Sequence, residues 1–205
     1  MATKQHNLMS GVDLHPNKID ATTGTELTTP SETIYDARWV KGKAYAASTT
    51  DTIANTATET AFAQNYVLPA NTLSVGSTIR ITARGVYGTA AAAPALALRF
   101  KAGTTQLHID NNIAINGSMT NRLWVADVIL TCVSTGSSGT VECQGSAYLY
   151  NASSSSLGAL IELRNTGAVI LDTTASQTLQ LAAQWGTANA ANTINQRIFL
   201  VEVLN

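Results

Sequence analysis

Charge is scarce in this sequence of 205 residues, because Asp, Glu, Lys and Arg together make up only 12% of it. That is about half the usual share of a soluble domain. Twelve basic and thirteen acidic residues give a formal net charge of −1. No cluster of Lys and Arg could neutralise a row of phosphates, so we expect no nucleic-acid partner. Hydrophobic residues reach 45%, which is enough to build a core and is not typical of a disordered chain.

Histidine and cysteine are also scarce, and both limit metal chemistry. The three histidines are His6, His15 and His108, and the sequence has neither an HExxH motif nor a Cys/His spacing typical of zinc ligands. The segment Asp110-Asn111-Asn112 lacks the alternating acidic ligands of a calcium loop and is interpreted as an ordinary turn. We therefore predict no metal site and no cofactor.

Motifs of catalysis are missing as well. The sequence contains no Gly-x-Ser-x-Gly nucleophile elbow, no phosphate loop and no dinucleotide fingerprint. A glycosidase needs two carboxylates about 5 to 10 Å apart in a cleft. Asp127, Glu142, Glu162 and Asp172 are candidates, but nothing in the sequence brings two of them together. We predict no catalytic residues and a protein that is not an enzyme.

Long apolar runs are absent, and none approaches the roughly 20 residues that span a bilayer. The first residues, Met-Ala-Thr-Lys-Gln-His-Asn, lack the apolar segment of a secretory signal. We therefore expect no membrane partner. The protein is expected to stay in a cytoplasm, or to leave it by a route other than secretion, such as cell lysis.

Alternation of apolar and polar residues is the dominant pattern from about Thr50 onward, and it predicts β-strands. Ile79, Ile81 and Ala83 share one face of a strand whose other face carries Arg80 and Arg84. The same period recurs in residues 96–101, 141–150 and 178–185. Several such strands joined by Gly, Ser, Asn and Thr turns indicate an all-β protein, an antiparallel β-sandwich or barrel.

The first 50 residues differ from the rest. Between Met1 and Thr33 every short apolar group is interrupted by Thr, Asn, Asp, Gly or Pro, and no period of 2 or 3.6 is sustained. This pattern is typical of an extended arm with turns rather than a self-contained core. The sequence therefore divides into an extended N-terminal arm (residues 1-50) and a β-sandwich domain (residues 51-205).

Two of the predicted strands are apolar on both faces. They are Arg122–Cys132, where Trp124 and its alternate neighbours oppose Leu123, and Ile198–Leu204. Antiparallel sheets normally keep one face wet, so such strands are covered on both sides. The cover is either a loop or the arm of the same chain, or a second subunit. The candidate residues of a subunit interface are Leu123, Val125, Ile129, Ile198 and Leu200.

The two cysteines flank the predicted turn Ser134–Gly139. A hairpin centred between Ser137 and Ser138 pairs Cys132 with Cys143 on one face. Two interpretations stay open. The cysteines are either buried reduced thiols, or a disulfide that forms once the protein reaches an oxidising medium.

Three segments resemble parts of known structural proteins. Val67–Ile81 and Ala182–Ile194 are similar to segments of tailed-bacteriophage virion proteins with jelly-roll-like domains. His6–Lys18 resembles an N-terminal motif of phage head and tail appendages, with Pro16-Asn17-Lys18 where the usual form has Glu-Pro-Lys. The resemblance implies a jelly-roll-like sandwich in a trimeric appendage, with its N-terminus docked on the virion and its β domain facing outward.

Our first functional hypothesis is a capsid decoration protein, of the cement or head-fibre type. It would be assembled in the host cytoplasm, bind the major capsid protein on the capsid surface of the virion, and form a homotrimer. The capsid-binding segment of the arm would be His6, Asn7, Leu8, Met9, Ser10, Gly11, Val12, Asp13, Leu14, His15, Pro16, Asn17 and Lys18.

Two alternatives compete with this hypothesis. A tail fibre or baseplate protein would contact other tail proteins and recognise a host surface glycan through the loops Gly85–Pro94, Asn111–Thr120 and Asn151–Gly158, which include Tyr87 as an aromatic. A depolymerase would need a pair of carboxylates in a groove.

Overall fold

The structure is a computed structural model that describes residues 42–108, 112–151 and 157–204, together with two short strands nearer the N-terminus. The chain forms two units, Met1–Val40 and Lys41–Asn205. In the first unit, β1 (Lys18–Ile19) pairs with β2 (Glu26–Leu27) in antiparallel fashion. The rest of the predicted capsid-binding segment, His6–Asn17, lies outside the described residues.

The second unit is made of two antiparallel sheets. The large sheet contains β3 (Gly42–Ala47), β4 (Asp51–Ala54), β6 (Thr78–Gly88), β10 (Arg122–Ser134), β11 (Thr140–Tyr150), β12 (Leu157–Glu162), β13 (Val169–Ile170) and β15 (Thr193–Val203). The small sheet contains β5 (Thr60–Leu68), β7 (Ala95–Ala102), β8 (Thr105–Gln106), β9 (Asn112–Ala114) and β14 (Gln177–Trp185). No helix in the described ranges is long and apolar enough to cross a membrane.

The strand connections confirm the predicted jelly-roll-like sandwich. Strand pairs are nested along the chain, so that β4 pairs with β15, β5 with β14, β6 with β10 and β7 with β9. Nested antiparallel pairs divided between two sheets are the pattern of a jelly roll. Strands β11 and β12 extend the large sheet beyond β10, and β3 lies at its opposite edge beside β15.

The core lies between the sheets and is filled by alternate residues of each strand. Ile79, Ile81 and Ala83 are buried, as their alternation with arginines predicts. Trp124 of the large sheet stacks on Phe62 of the small sheet, with ring centroids 6.2 Å apart. Large aromatic rings provide much of the buried apolar area, so this contact holds the two sheets together.

The sandwich begins earlier than the sequence predicts. Strand β3 pairs with β15 from Gly42 to Ala47, and the ring of Tyr45 lies 6.1 Å from that of Phe199. The predicted boundary between residues 50 and 51 therefore falls too late, because residues assigned to the arm complete an edge of the large sheet.

The predicted pairing of the two cysteines is wrong. Cys132 pairs with Val141, and Cys143 pairs with Leu130, because a bulge between Cys132 and Ser134 shifts the register of the hairpin. Both cysteines are free and buried, as the first interpretation has it. Burial raises the pKa of the Cys143 thiol to about 12 and also raises that of Cys132.

Candidate functional site

The outward side of the large sheet carries a row of mostly apolar side chains that is interrupted by Arg84. Across neighbouring strands, Leu160 pairs with Tyr148, Tyr148 with Val125, Val125 with Arg84 and Arg84 with Ile198. Side chains at directly paired positions point to the same side of a sheet. Because Trp124 and Phe199 point into the core, these five residues point away from it. We call this side of β12, β11, β10, β6 and β15 the outer face.

All five predicted interface residues lie on the outer face. Leu123 is 45% exposed, Ile129 40% and Ile198 45%, while Val125 and Leu200 are partly buried. The structure therefore brings the two strands of the prediction, β10 and β15, to one surface on either side of β6. Their role as a subunit interface stays a prediction.

Other apolar residues of the outer face, among them Tyr148 and Leu160, were not predicted. Tyr148 is 37% exposed and Leu160 is 51% exposed. The alternation of residues 141–150 places Tyr148 on the polar side of its strand, and no sequence pattern marks β12 as a strand. Pairing of Leu160 with Tyr148 through the β11–β12 ladder is what places both beside Val125.

Charged groups run through the middle of the outer face along β6. Arg80 donates to one carboxylate oxygen of Asp127 from Nε at 2.9 Å and from Nη2 at 2.7 Å, and the Thr82 hydroxyl donates to the same oxygen at 3.1 Å. This hydrogen bonding, together with the negative charge of Asp127, raises the pKa of Arg80. No described carboxylate forms an ion pair with Arg84, which is exposed between Val125 and Ile198.

A shallow groove of about 290 Å³ follows β6 and β15 on this face. Its lining combines charged and apolar side chains: Arg80, Thr82, Arg84, Ile198, Leu200 and Glu202. The groove can therefore accept apolar groups and carboxylates together.

The loops proposed for glycan binding have little to stack against a sugar. Tyr87 lies in β6 rather than in a loop, is buried, and donates from its hydroxyl to the Tyr150 carbonyl at 2.8 Å. Its predicted place as a loop aromatic is therefore wrong. A hollow of about 100 Å³ lies where the β6–β7 and β14–β15 loops meet, and it is lined by Ala90, Ala92, Ala93, Pro94, Thr187, Asn189 and Asn192.

Three of the four carboxylates considered for catalysis are held by ordinary contacts. Asp127 pairs with Arg80, and Glu162 pairs with Arg164 at 2.8 Å. The Asp172 carboxylate accepts hydrogen bonds from Thr174, which lower the pKa of Asp172. Asp127 and Glu162 both lie on the open outer face, on strands separated by β11.

Metal-ligating residue types are dispersed in the described residues, where no group of three His, Cys, Asp or Glu side chains could hold a metal ion. His108 is buried, and its Nε2 accepts a hydrogen bond from the Phe100 amide at 2.9 Å. That bond gives this imidazole a structural role at the edge of β7.

Comparisons with known proteins find only distant similarity. No family model and no curated protein match the sequence. One similar solved structure is the CBM2 module of the evolved Dit of Lactobacillus casei BL23 phage J-1, with 12% identity, a TM-score of 0.34 and coverage of 69% of each chain. That protein is a phage component, but a TM-score this low carries no weight for the function of this chain.

Proposed function

We propose that this chain is a non-enzymatic structural protein of a tailed-phage particle. Within that class we propose a capsid decoration protein that binds the capsid shell through the arm segment His6–Lys18 and acts as a homotrimer. The observation that carries the proposal is the outer face, a broad sheet surface with clustered apolar side chains. Such a surface suits association between proteins better than it suits chemistry on a small molecule.

The arm supplies the second part of the proposal. Its segment His6–Lys18 resembles the N-terminal motif of phage appendages. The sandwich has its own core within Lys41–Asn205, so binding by the arm would leave the domain intact. An arm that crosses two capsid subunits adds contacts that must break before those subunits separate, and in that way it stabilises the shell.

The positions of the carboxylates support a role without catalysis. A glycosidase pair flanks the scissile glycosidic bond within a cleft, with the two carboxyl groups about 5 to 10 Å apart. Asp127 and Glu162 instead share an open sheet face, and each is neutralised by an arginine, Arg80 and Arg164 respectively.

A binding experiment with phage capsids tests the proposal. Deletion of residues 1–33 should leave a folded, soluble domain that no longer cosediments with capsids lacking this protein, whereas the full chain should cosediment. The full chain with Val67→Asp is a matched control, because Val67 is exposed on the small sheet, remote in sequence from the arm. Undiminished cosedimentation of the truncated protein would refute binding through the arm.

The alternative function is recognition of a host glycan by a tail fibre or baseplate protein. Its site would be the hollow between the β6–β7 and β14–β15 loops, where the amides of Asn189 and Asn192 are the polar groups. The small volume and the absence of an aromatic side chain from its lining make this function the weaker proposal. Host-range changes that map to these loops would favour it over capsid decoration.

A further inference from the structure

We infer that the outer face of the large sheet is the surface through which copies of this chain pack against one another. The number of copies rests on the proposed function, which includes the homotrimer. The assignment of the surface does not, because it follows from the apolar content, the area and the charges of the face. Each of these three properties fits a second copy as the occupant.

Apolar content distinguishes this face from ordinary protein surface. Isolated exposed hydrophobic residues are common, but contiguous groups on monomers are small. Here Tyr148, Leu160 and Val125 are neighbours across three paired strands, and Leu123 lies two residues before Val125 on β10. Tyrosine is enriched at protein interfaces, where it contributes large area with few rotatable bonds.

The area of the face matches what a stable interface needs. Five strands spaced about 4.8 Å apart give a width of about 24 Å. From Leu123 to Val133 the outward residues of β10 extend about 34 Å at roughly 3.4 Å per residue. Because β12 has only six residues, the face covers about 750 Å², close to the roughly 800 Å² that each partner contributes to an interface of standard size.

The charges of the face suit a copy of itself. It carries Arg80 and Arg84 together with the carboxylates of Asp127, Glu142 and Glu202, so both signs are present. Of these, only Arg80 and Asp127 form an ion pair within the described chain. Arg84 of one copy therefore has unpaired carboxylates to meet on the next copy, and a net charge of −1 leaves little repulsion between whole chains.

The outward side of the small sheet differs, because its own chain lies across it. Glu59, from the segment before β5, forms ion pairs with Arg99 at 3.2 Å and with Lys101. The Gln184 side chain donates to the Ala57 carbonyl at 2.9 Å. Arg99 is only 7% exposed as a result. Within the described residues the outer face of the large sheet has no such cover, which makes it the side available to another copy.

Sedimentation velocity on the full-length protein tests the inference. The wild type should sediment as an oligomer that dissociates on dilution. Leu123→Asp and Ile198→Asp each place a charge in the apolar part of the face and should raise the dissociation constant about thirtyfold or more, the effect of losing an interface hot spot. Val67→Asp introduces the same side chain at an exposed strand position of the small sheet and should leave the dissociation constant unchanged.

Thermal unfolding of each variant establishes that it is folded, and Ile198→Thr replaces Ile198→Asp if the charged variant does not fold. A wild type that stays monomeric at its highest soluble concentration would overturn the inference. So would equal oligomerisation of all variants, or equal loss in Val67→Asp. If the wild type is a dimer and both Leu123→Asp and Ile198→Asp dissociate it, the outer face is the interface between copies, and the homotrimer of the proposed function is refuted. Because no capsid enters this experiment, its result is independent of the capsid-binding test.

Discussion

Replacement of Gly85 by alanine should be among the most damaging small changes in this protein. Gly85 lies in β6, paired with Trp124 on one side and with Gln196 of β15 on the other. A Cβ atom added there would lie 1.7 Å from the Asn195 carbonyl oxygen and 2.8 Å from Nε1 of Trp124. That indole nitrogen donates to the same Asn195 oxygen at 2.9 Å, so the new methyl group would displace both partners of a hydrogen bond.

The expected loss of stability for Gly85→Ala follows from two effects. Separating Trp124 from the Asn195 carbonyl leaves buried polar groups unsatisfied, at a cost of about 1 to 3 kcal/mol. Forcing a methyl group into a packed core costs another 1 to 3 kcal/mol or so. We therefore expect the free energy of unfolding to fall by about 2 to 6 kcal/mol. In urea, with a slope of about 2 kcal/mol per molar, the unfolding midpoint should fall by about 1 to 3 M.

The assay is equilibrium unfolding in urea at matched protein concentration, followed by tryptophan fluorescence. Gly167→Ala is the control, because nothing lies within 4 Å of a Cβ added at Gly167. The free energy of unfolding of Gly167→Ala should differ from that of the wild type by no more than about 0.5 kcal/mol. A Gly85→Ala protein whose free energy of unfolding lies within about 0.5 kcal/mol of the wild-type value would refute the claim that β15 and Trp124 leave no room for a side chain at this glycine.

Two further predictions concern buried groups. Burial raises the pKa of Cys143 from 9.0 to about 12, so between these values the folded chain keeps a proton that the unfolded chain releases. The unfolding free energy of the wild type should therefore fall with rising pH more steeply than that of Cys143→Ala, by about 1.4 kcal/mol per pH unit, and parallel curves would contradict this. Asn192→Ala should cost about 2 kcal/mol, because Asn192 is buried and bridges the Ala90 amide, at 2.9 Å, to the Thr187 carbonyl, at 3.1 Å. The exposed Asn189→Ala should cost less in the same urea unfolding assay, and equal losses would contradict the bridging role.

The faces of the strands could be predicted from the sequence because they depend on local alternation alone. In β6, Ile79 and Ile81 are buried while Arg80 is exposed, as a period of 2 predicts. The same reasoning places Leu179 and Trp185 of β14 in the core, where the structure has them. These assignments need no knowledge of which strands pair, so the fold class followed from them.

Register and strand ends could not be predicted, because they depend on partners distant in the sequence. One extra residue in the bulge after Cys132 moves its partner to Val141, and no residue type in this segment marks the bulge. Gly85 and Gly88 give the end of β6 the composition of a loop, and the sequence therefore predicts a loop around Tyr87. The strand continues because Gly85 is needed for the approach of Trp124, not for a turn.

Only part of the candidate site could be predicted from the sequence. Apolar residues on both faces of β10 and β15 identified Leu123 and Ile198, but they left open whether a loop of the same chain covers them. In the small sheet, a segment of the same chain does cover the outward side. The alternation of β7 places Arg99 on that side, yet Arg99 is buried beneath Glu59. Whether a sheet face is covered depends on the path of distant segments, which alternation does not encode.

The two outward faces differ in how the chain itself covers them, and this difference supports the inferred assembly. A buried guanidinium at Arg99 is costly, but Glu59 and the Gln184 side chain, which accepts from Arg99 at 2.7 Å, compensate it within one chain. Exposed Leu123 and Ile198 are also unfavourable, and the described chain offers no compensation for them. A neighbouring copy that buries them would supply it. We therefore expect this chain to be a subunit whose outer face is covered by a neighbouring copy.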